Sequence, residues 1–286
     1  MKPRSAAPLA LQPKSMRIGH WPILSSHFRT LALALALVAP SVPAQIQDSR
    51  AQGNRVVDLE LALLVDVSAS VSDEEFHLQA SGLAEAFRSP AVLNAIRTSV
   101  NGGIAVSVIQ WADRANQRVS VEWTLLRDDA DALGLAARIA AMPRLIHGGH
   151  TALGSALAFG LQELESNRAA GVRRVIDVSG DGRANDGLPL RAVREQVIEH
   201  GVTINGLAIL NELPLLDRYF RDRLIGGEGA FVMIAHDYTD FAQAMAVKLV
   251  REIRAVPLAK RNVAPNSVHK TRAGPEQFFR SDFTKP

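Results

Sequence analysis

The mature-looking part of the chain alternates between short, densely apolar runs and longer stretches of helical periodicity. Residues 57–65 (VDLELALLV) become continuously apolar toward their end, the pattern of a strand buried on both faces of a sheet. Ser72-Asp73-Glu74-Glu75 is a capping box that opens a helix. Phe76, Leu83 and Phe87 follow at helical spacing until Pro90 interrupts them. Ile104–Trp111 and Val119–Leu125 are strand-like runs joined by a polar loop, which predicts a hairpin. Residues 129–141 predict a helix with Leu133, Ala136 and Ile139 on one face. Another helix follows Gly148-Gly149, with Leu153, Leu157, Leu161 and Leu164 in one stripe. Then come a strand at Val172–Ser179, a helix marked by Leu190, Val193 and Val197 and closed by Gly201, and a strand at Val202–Ile209. A short helix over 214–224, a short strand at Phe231–Ile234 and a helix carrying Phe241, Met245, Leu249 and Ile253 complete the pattern.

Strands that alternate with helices predict an α/β fold. The expected form is three layers: a doubly wound, mostly parallel sheet with helices on both faces and one antiparallel edge strand from the hairpin. In such sheets ligands bind beyond the carboxyl ends of the strands. The loops that follow residues 65, 111, 179, 209 and 234 are therefore where chemistry is expected.

The ends of the chain have a different character. Residues 31–39 (LALALALVA) form an apolar run led by Arg29, and Val42 and Ala44 occupy the small-residue positions of a cleavage site before Gln45. This is the pattern of a secretory signal over residues 1–44, too short to span a bilayer, and it implies a periplasmic or secreted protein. Met16 is an alternative start to Met1. Residues 45–56 read as a polar linker, 57–255 as the folded domain and 256–286 as a flexible basic tail punctuated by Pro257, Pro265 and Pro275.

Charge sharpens that division. The net charge is +3, yet residues 1–44 hold five basic residues and no acid, and residues 256–286 hold six basic and two acidic residues. The body is thus mildly acidic, which argues against a nucleic-acid-binding face. The chain has no cysteine, so disulfides, thiolate metal sites and a cysteine nucleophile are excluded. It has six lysines and none between Lys14 and Lys248, which leaves no P-loop or Schiff-base lysine in the middle of the chain.

Three of the expected loops carry oxygen ligands. The first reads Asp66-Val67-Ser68-Ala69-Ser70, another Gly148-Gly149-His150-Thr151, and a third Gly180-Asp181-Gly182. Carboxylates and hydroxyls without thiolate are a hard ligand set, suited to Mg²⁺ or Mn²⁺ rather than zinc. Two carboxylates and three hydroxyls leave room for a water-filled or vacant coordination position. Each residue also has a plainer role open to it. Ser68 and Ser70 suit a turn, Thr151 suits a helix N-cap, and Asp181 suits the turn before Gly182. Asp177, inside a strand, is read as a structural hydrogen-bonding residue. His147 and His150 are read as exposed loop residues, and Trp111 and Trp123 as packing residues.

These loops, in this order, resemble the metal-ion-dependent adhesion site of von Willebrand factor A domains. The resemblance covers about residues 57–255, and the phrases RRVIDVSGDG, INGLAI and GGEGAFV resemble an exported bacterial branch of unknown function. It implies that Ser68, Ser70 and Thr151 ligate the metal through hydroxyls and that Asp66 and Asp181 act directly or through water. The usual Thr-Asp-Gly is here Gly180-Asp181-Gly182, which removes a hydroxyl. The expected function is a non-enzymatic binding module whose metal is completed by an acidic side chain of a protein partner. The alternatives are a metal-dependent hydrolase using Asp66 and Asp181, and a structural envelope protein whose metal only holds the loops.

Overall fold

The computed structural model describes residues 55–255. The predicted signal, most of the linker and the basic tail lie outside the described residues. Six strands form one sheet: β1 (Arg55–Asp66), β2 (Ile104–Trp111), β3 (Gln117–Leu126), β4 (Ala169–Gly180), β5 (Val202–Ile209) and β6 (Val232–Ala235). Their order is β3-β2-β1-β4-β5-β6. β3 is antiparallel to β2, and every other pairing is parallel, in agreement with the sequence pattern. Residues 55 and 56, read as linker, belong instead to β1, where they pair with Ala169 and Ala170.

The helices are α1 (Asp73–Arg88), α2 (Pro90–Arg97), α3 (Asp129–Ala140), α4 (Leu153–Ser166), α5 (Leu190–Glu199), α6 (Leu216–Tyr219) and α7 (Phe241–Arg254). A wider turn, Phe220–Leu224, extends α6. The continuous apolar character of β1 has a direct structural cause. Leu59, Leu61, Leu63 and Val65 pack with α1, α2, α3 and α7 on one face, while Ala62 and Leu64 pack with α4, α5 and α6 on the other.

Three expectations change. Pro90 does not merely end a helix. Ser89 caps the end of α1 and the start of α2, with Pro90 in the first turn of α2, where its missing N–H costs nothing. Leu133 is exposed. Asp128 caps α3 and sets its phase so that Ala132, Leu135, Ala136 and Ile139 face the core. Thr151 does not cap α4: the cap position is Ala152, with no side-chain hydrogen bond.

The strand order reverses between β1 and β4, where β1 sends its chain outward to β2 and β4 continues to β5. This is the switch point of a doubly wound sheet, and a crevice opens there beyond the strand ends. β1 ends at Asp66 and β4 at Gly180, so both carboxylates read from the sequence arrive at this crevice.

Candidate functional site

Asp66 is fully buried. Its Oδ1 accepts a hydrogen bond from the Ser68 amide at 2.8 Å, which folds the following loop back over the strand end. Its Oδ2 is buried and has no hydrogen-bond partner among the described residues. Ser68 Oγ and Ser70 Oγ lie 3.3 Å apart, and Ser70 Oγ donates to Asp181 Oδ1 at 2.8 Å. The second oxygen of the buried Asp181 accepts from Tyr238 at 3.0 Å. Four of the five residues singled out are thus joined by one chain of short contacts.

Thr151 completes the set from a third loop. It lines a cavity of about 300 Å³ together with Ser70, Asp181, Arg183 and Glu212. Its backbone is fixed on both sides by Asn185, whose Oδ1 accepts from Thr151 N at 2.8 Å and whose N–H donates to Thr151 O at 3.0 Å. The loop that delivers Thr151 needs glycine. Gly149 has φ 106°, and a Cβ there would lie 2.8 Å from Asp113 Oδ2. Gly149 O also accepts from Ala69 N at 2.9 Å, tying this loop to the Asp66 loop.

The electrostatics follow from burial. The Asp66 carboxyl is pushed up to about 7, first by desolvation and then by Asp181, against the opposing pull of the Ser68 hydrogen bonds and the more distant Arg144. Burial and the same two carboxylates raise the Tyr238 phenol well above its ordinary range, so Tyr238 stays protonated and donates. A cation would fit the arrangement. It would offer the orphaned Asp66 Oδ2 a partner and offset the repulsion between two carboxylates that make no ion pair among the described residues. Gly180 leaves the space open, because a Cβ there would sit 2.8 Å from that oxygen.

Two supporting residues carried little sequence signal. Arg144 donates to the carbonyls of Val67 (3.0 Å) and Val71 (2.8 Å) and pairs with Asp73 at 2.8 Å, so it clamps the backbone that presents Ser68 and Ser70. Its partners are mostly main-chain oxygens, which leave no mark in a sequence. Tyr238 follows the last strand, in one of the loops expected to carry chemistry, and it is one of only two tyrosines in the chain. Its position was the available signal. His147 and His150 are exposed, Trp111 is buried in the core and Trp123 packs beside it. Asp177 is buried below the site and, in place of the hydrogen-bonding role read for it, makes an ion pair with Lys248 at 2.6 Å while neither of its oxygens has a hydrogen-bond partner among the described residues.

The sheet order, the antiparallel edge hairpin and the helical layers define a von Willebrand factor A-type fold. The chain belongs to the family described as "Protein of unknown function (DUF1194)", which matches residues 56–257. No curated protein matches the sequence. Solved structures with the same fold include proximal thread matrix protein 1 of the mussel byssus, in a form with a zinc-occupied adhesion-site motif. It has 17% identity and a TM-score of 0.52, over 69% of this chain and 48% of that one. A von Willebrand factor type A protein from Catenulispora acidiphila has 16% identity and a TM-score of 0.50, over 68% and 43%. The pilus adhesin SpaC from Lactobacillus rhamnosus GG has 11% identity and a TM-score of 0.50, over 68% and 31%. The chain thus spans less than half the length of each of these structures, and at such identities the likeness concerns the fold.

Proposed function

We propose that the protein is an exported binding module whose carboxylates and hydroxyls hold a divalent cation, Mg²⁺ or Mn²⁺, and whose partner is a protein offering an acidic side chain. The observation that carries this reading is the buried, unpartnered Asp66 Oδ2 beside Asp181, at the switch point of the sheet. Asp66, Ser68, Ser70, Thr151 and Asp181 would hold the ion. When bound, the ion supplies positive charge and an open coordination position for the partner's carboxylate.

The chain's own residues do the rest. The Ser68 amide fixes Asp66, Arg144 fixes the serine loop, and Asn185 fixes Thr151. Tyr238 and Ser70 donate to Asp181, which favours its taking part through water rather than directly. The cavity beside Thr151 gives an incoming side chain room.

The hardness of the ligands favours Mg²⁺ or Mn²⁺, while the byssus protein's zinc-occupied motif makes Zn²⁺ the competitor to include. Export is supported by the apolar run after Arg29 and its small-residue cleavage pattern, and no described helix is long and apolar enough to cross a membrane. The byssus and pilus origins of two proteins with this fold accord with a binding role outside the cytoplasm.

The test is capture of proteins from a cell-envelope extract on the immobilised chain, in Mg²⁺, in EDTA and with Thr151→Ala. Capture that needs Mg²⁺ and is lost in both other arms supports the reading. Equal capture in all three contradicts it. Stabilisation by metal with capture unchanged by chelator would favour the structural alternative instead.

A further inference from the structure

Below the candidate metal site, three ionisable side chains meet in a closed interior. Asp177 on β4 and Lys248 and Glu252 on α7 are all essentially without solvent exposure. Lys248 Nζ lies 2.6 Å from Asp177 Oδ1 and 2.6 Å from Glu252 Oε1. The two contacts differ in kind. The one to Glu252 is a hydrogen bond, and Glu252 Oε1 also accepts from Asn205 at 2.7 Å. Asn205 is held in turn by the Phe231 amide, at 3.1 Å. The contact to Asp177 is as short, yet neither oxygen of Asp177 has a hydrogen-bond partner. The amine therefore sits in close ion-pair contact with Oδ1 of this carboxyl group, outside the alignment of a hydrogen bond. The Phe231 ring, centred 5.0 Å from Nζ, closes the apolar side.

We propose that Lys248 and Asp177 join in an intramolecular amide bond, formed by the folded chain itself with Glu252 as the proton carrier. The chemistry balances without a further reactant. Proton transfer within the ion pair gives a neutral amine and a neutral carboxylic acid, the form that a dry interior favours over separated charges. Nζ attacks Cγ of Asp177. Glu252 takes a proton from the nitrogen and returns one to the departing hydroxyl. The C–O bond breaks, one water leaves, and Glu252 ends in its starting state. Nothing is oxidised or reduced.

Two features support the assignment of roles. Glu252 is pushed up to about 7, by burial first and then by Asp177, so it can hold and release a proton near neutrality. Asn205 fixes the orientation of Glu252 toward the amine. The product would fasten α7 to the centre of the sheet and replace two buried charges by a neutral group. In a chain with no cysteine it would be a cross-link independent of redox conditions.

Mass spectrometry tests this directly on the full protein. The expected result is a native chain lighter by one water than its sequence. After proteolysis under denaturing conditions a branched peptide should contain both residue 177 and residue 248. Peptide mapping makes the reading independent of where the mature chain begins. Lys248→Met should restore the full mass. So should Glu252→Gln, which keeps amine and carboxyl side by side; cooperative thermal unfolding confirms that the variant is folded. Wild-type protein at its full sequence mass, with residues 177 and 248 in separate linear peptides, would overturn the bond. A deficit that persists in Lys248→Met would also overturn it. A deficit that persists in folded Glu252→Gln would overturn the role of Glu252.

Discussion

The described residues contain two buried pairs of acids, to which Asp177 contributes from the end of β4 and Asp181 from the turn that follows it. The lower pair, Asp177 with Glu252, encloses its own amine, that of Lys248, and is sealed between β4, β5 and α7. The upper pair, Asp66 with Asp181, has hydroxyls and an amide as its hydrogen-bond partners among the described residues, leaves one oxygen bare there, and adjoins a cavity. The cost of burying like charges is common to both. In one the protein supplies the partner itself, the Lys248 amine, whether as a counter-charge or in the proposed amide. In the other it is left to come from outside. That difference separates a structural cluster from a candidate ligand site more clearly than burial or charge count does.

The largest expected effect follows from removing the internal amine. Lys248→Met removes the amine, and with it the proposed amide, leaves Asp177 and Glu252 in the core with nothing between them, and should cost about 3–5 kcal/mol, read from urea unfolding. A cost below about 1 kcal/mol would mean that the lower pair is stabilised by something other than Lys248. The corresponding experiment at the upper pair runs the other way. Mg²⁺ or Mn²⁺ at a hundredfold excess over its Kd should stabilise the wild type by about 2.7 kcal/mol, and Asp66→Ala should abolish the shift in melting temperature.

pH sharpens the contrast further. In metal-free protein the Asp66 carboxyl is raised to about 7, so the folded state keeps a proton that the unfolded chain has already released. Asp66 therefore favours folding at acidic pH, and this contribution is lost as pH rises from the ordinary carboxylate range through about 7. Asp66→Asn should flatten that part of the stability profile in EDTA. An unchanged profile would locate the titration elsewhere. The smallest effect on the fold belongs to Thr151→Ala. Because Ala152 rather than Thr151 occupies the cap of α4, the substitution should change stability by no more than about 0.5 kcal/mol while weakening metal-dependent capture.

Much of this was readable in advance, for physical reasons. β2 and β5 match their predicted limits, because each is a mainly apolar run that begins just after a glycine, Gly103 and Gly201. The antiparallel edge hairpin and the layer order followed from periodicity alone. α2 was hidden because Pro90 ends a helix and starts one with the same residue type, and only the cap formed by Ser89 tells the two apart. Leu133 was misplaced because one residue of phase in α3, set by the Asp128 cap, moves a side chain from core to solvent.

At the site, Asp66, Ser68, Ser70, Thr151 and Asp181 were legible because each lies in a short loop at a strand end. Arg144 was not, since it binds main-chain oxygens. The Asp177–Lys248 contact was not either, since it joins two elements remote in sequence.

The central claim is that the upper pair lacks a cation that the protein expects from solution. A calorimetric titration of Mn²⁺ into the folded, chelator-stripped protein tests it most directly, with Asp66→Asn and Lys248→Met run in parallel. The account predicts one Mn²⁺ per wild-type chain, none in Asp66→Asn, and retained binding in whatever fraction of Lys248→Met remains folded. Binding of Mn²⁺ to Asp66→Asn as to the wild type, or no binding to the wild type at millimolar metal, would contradict it.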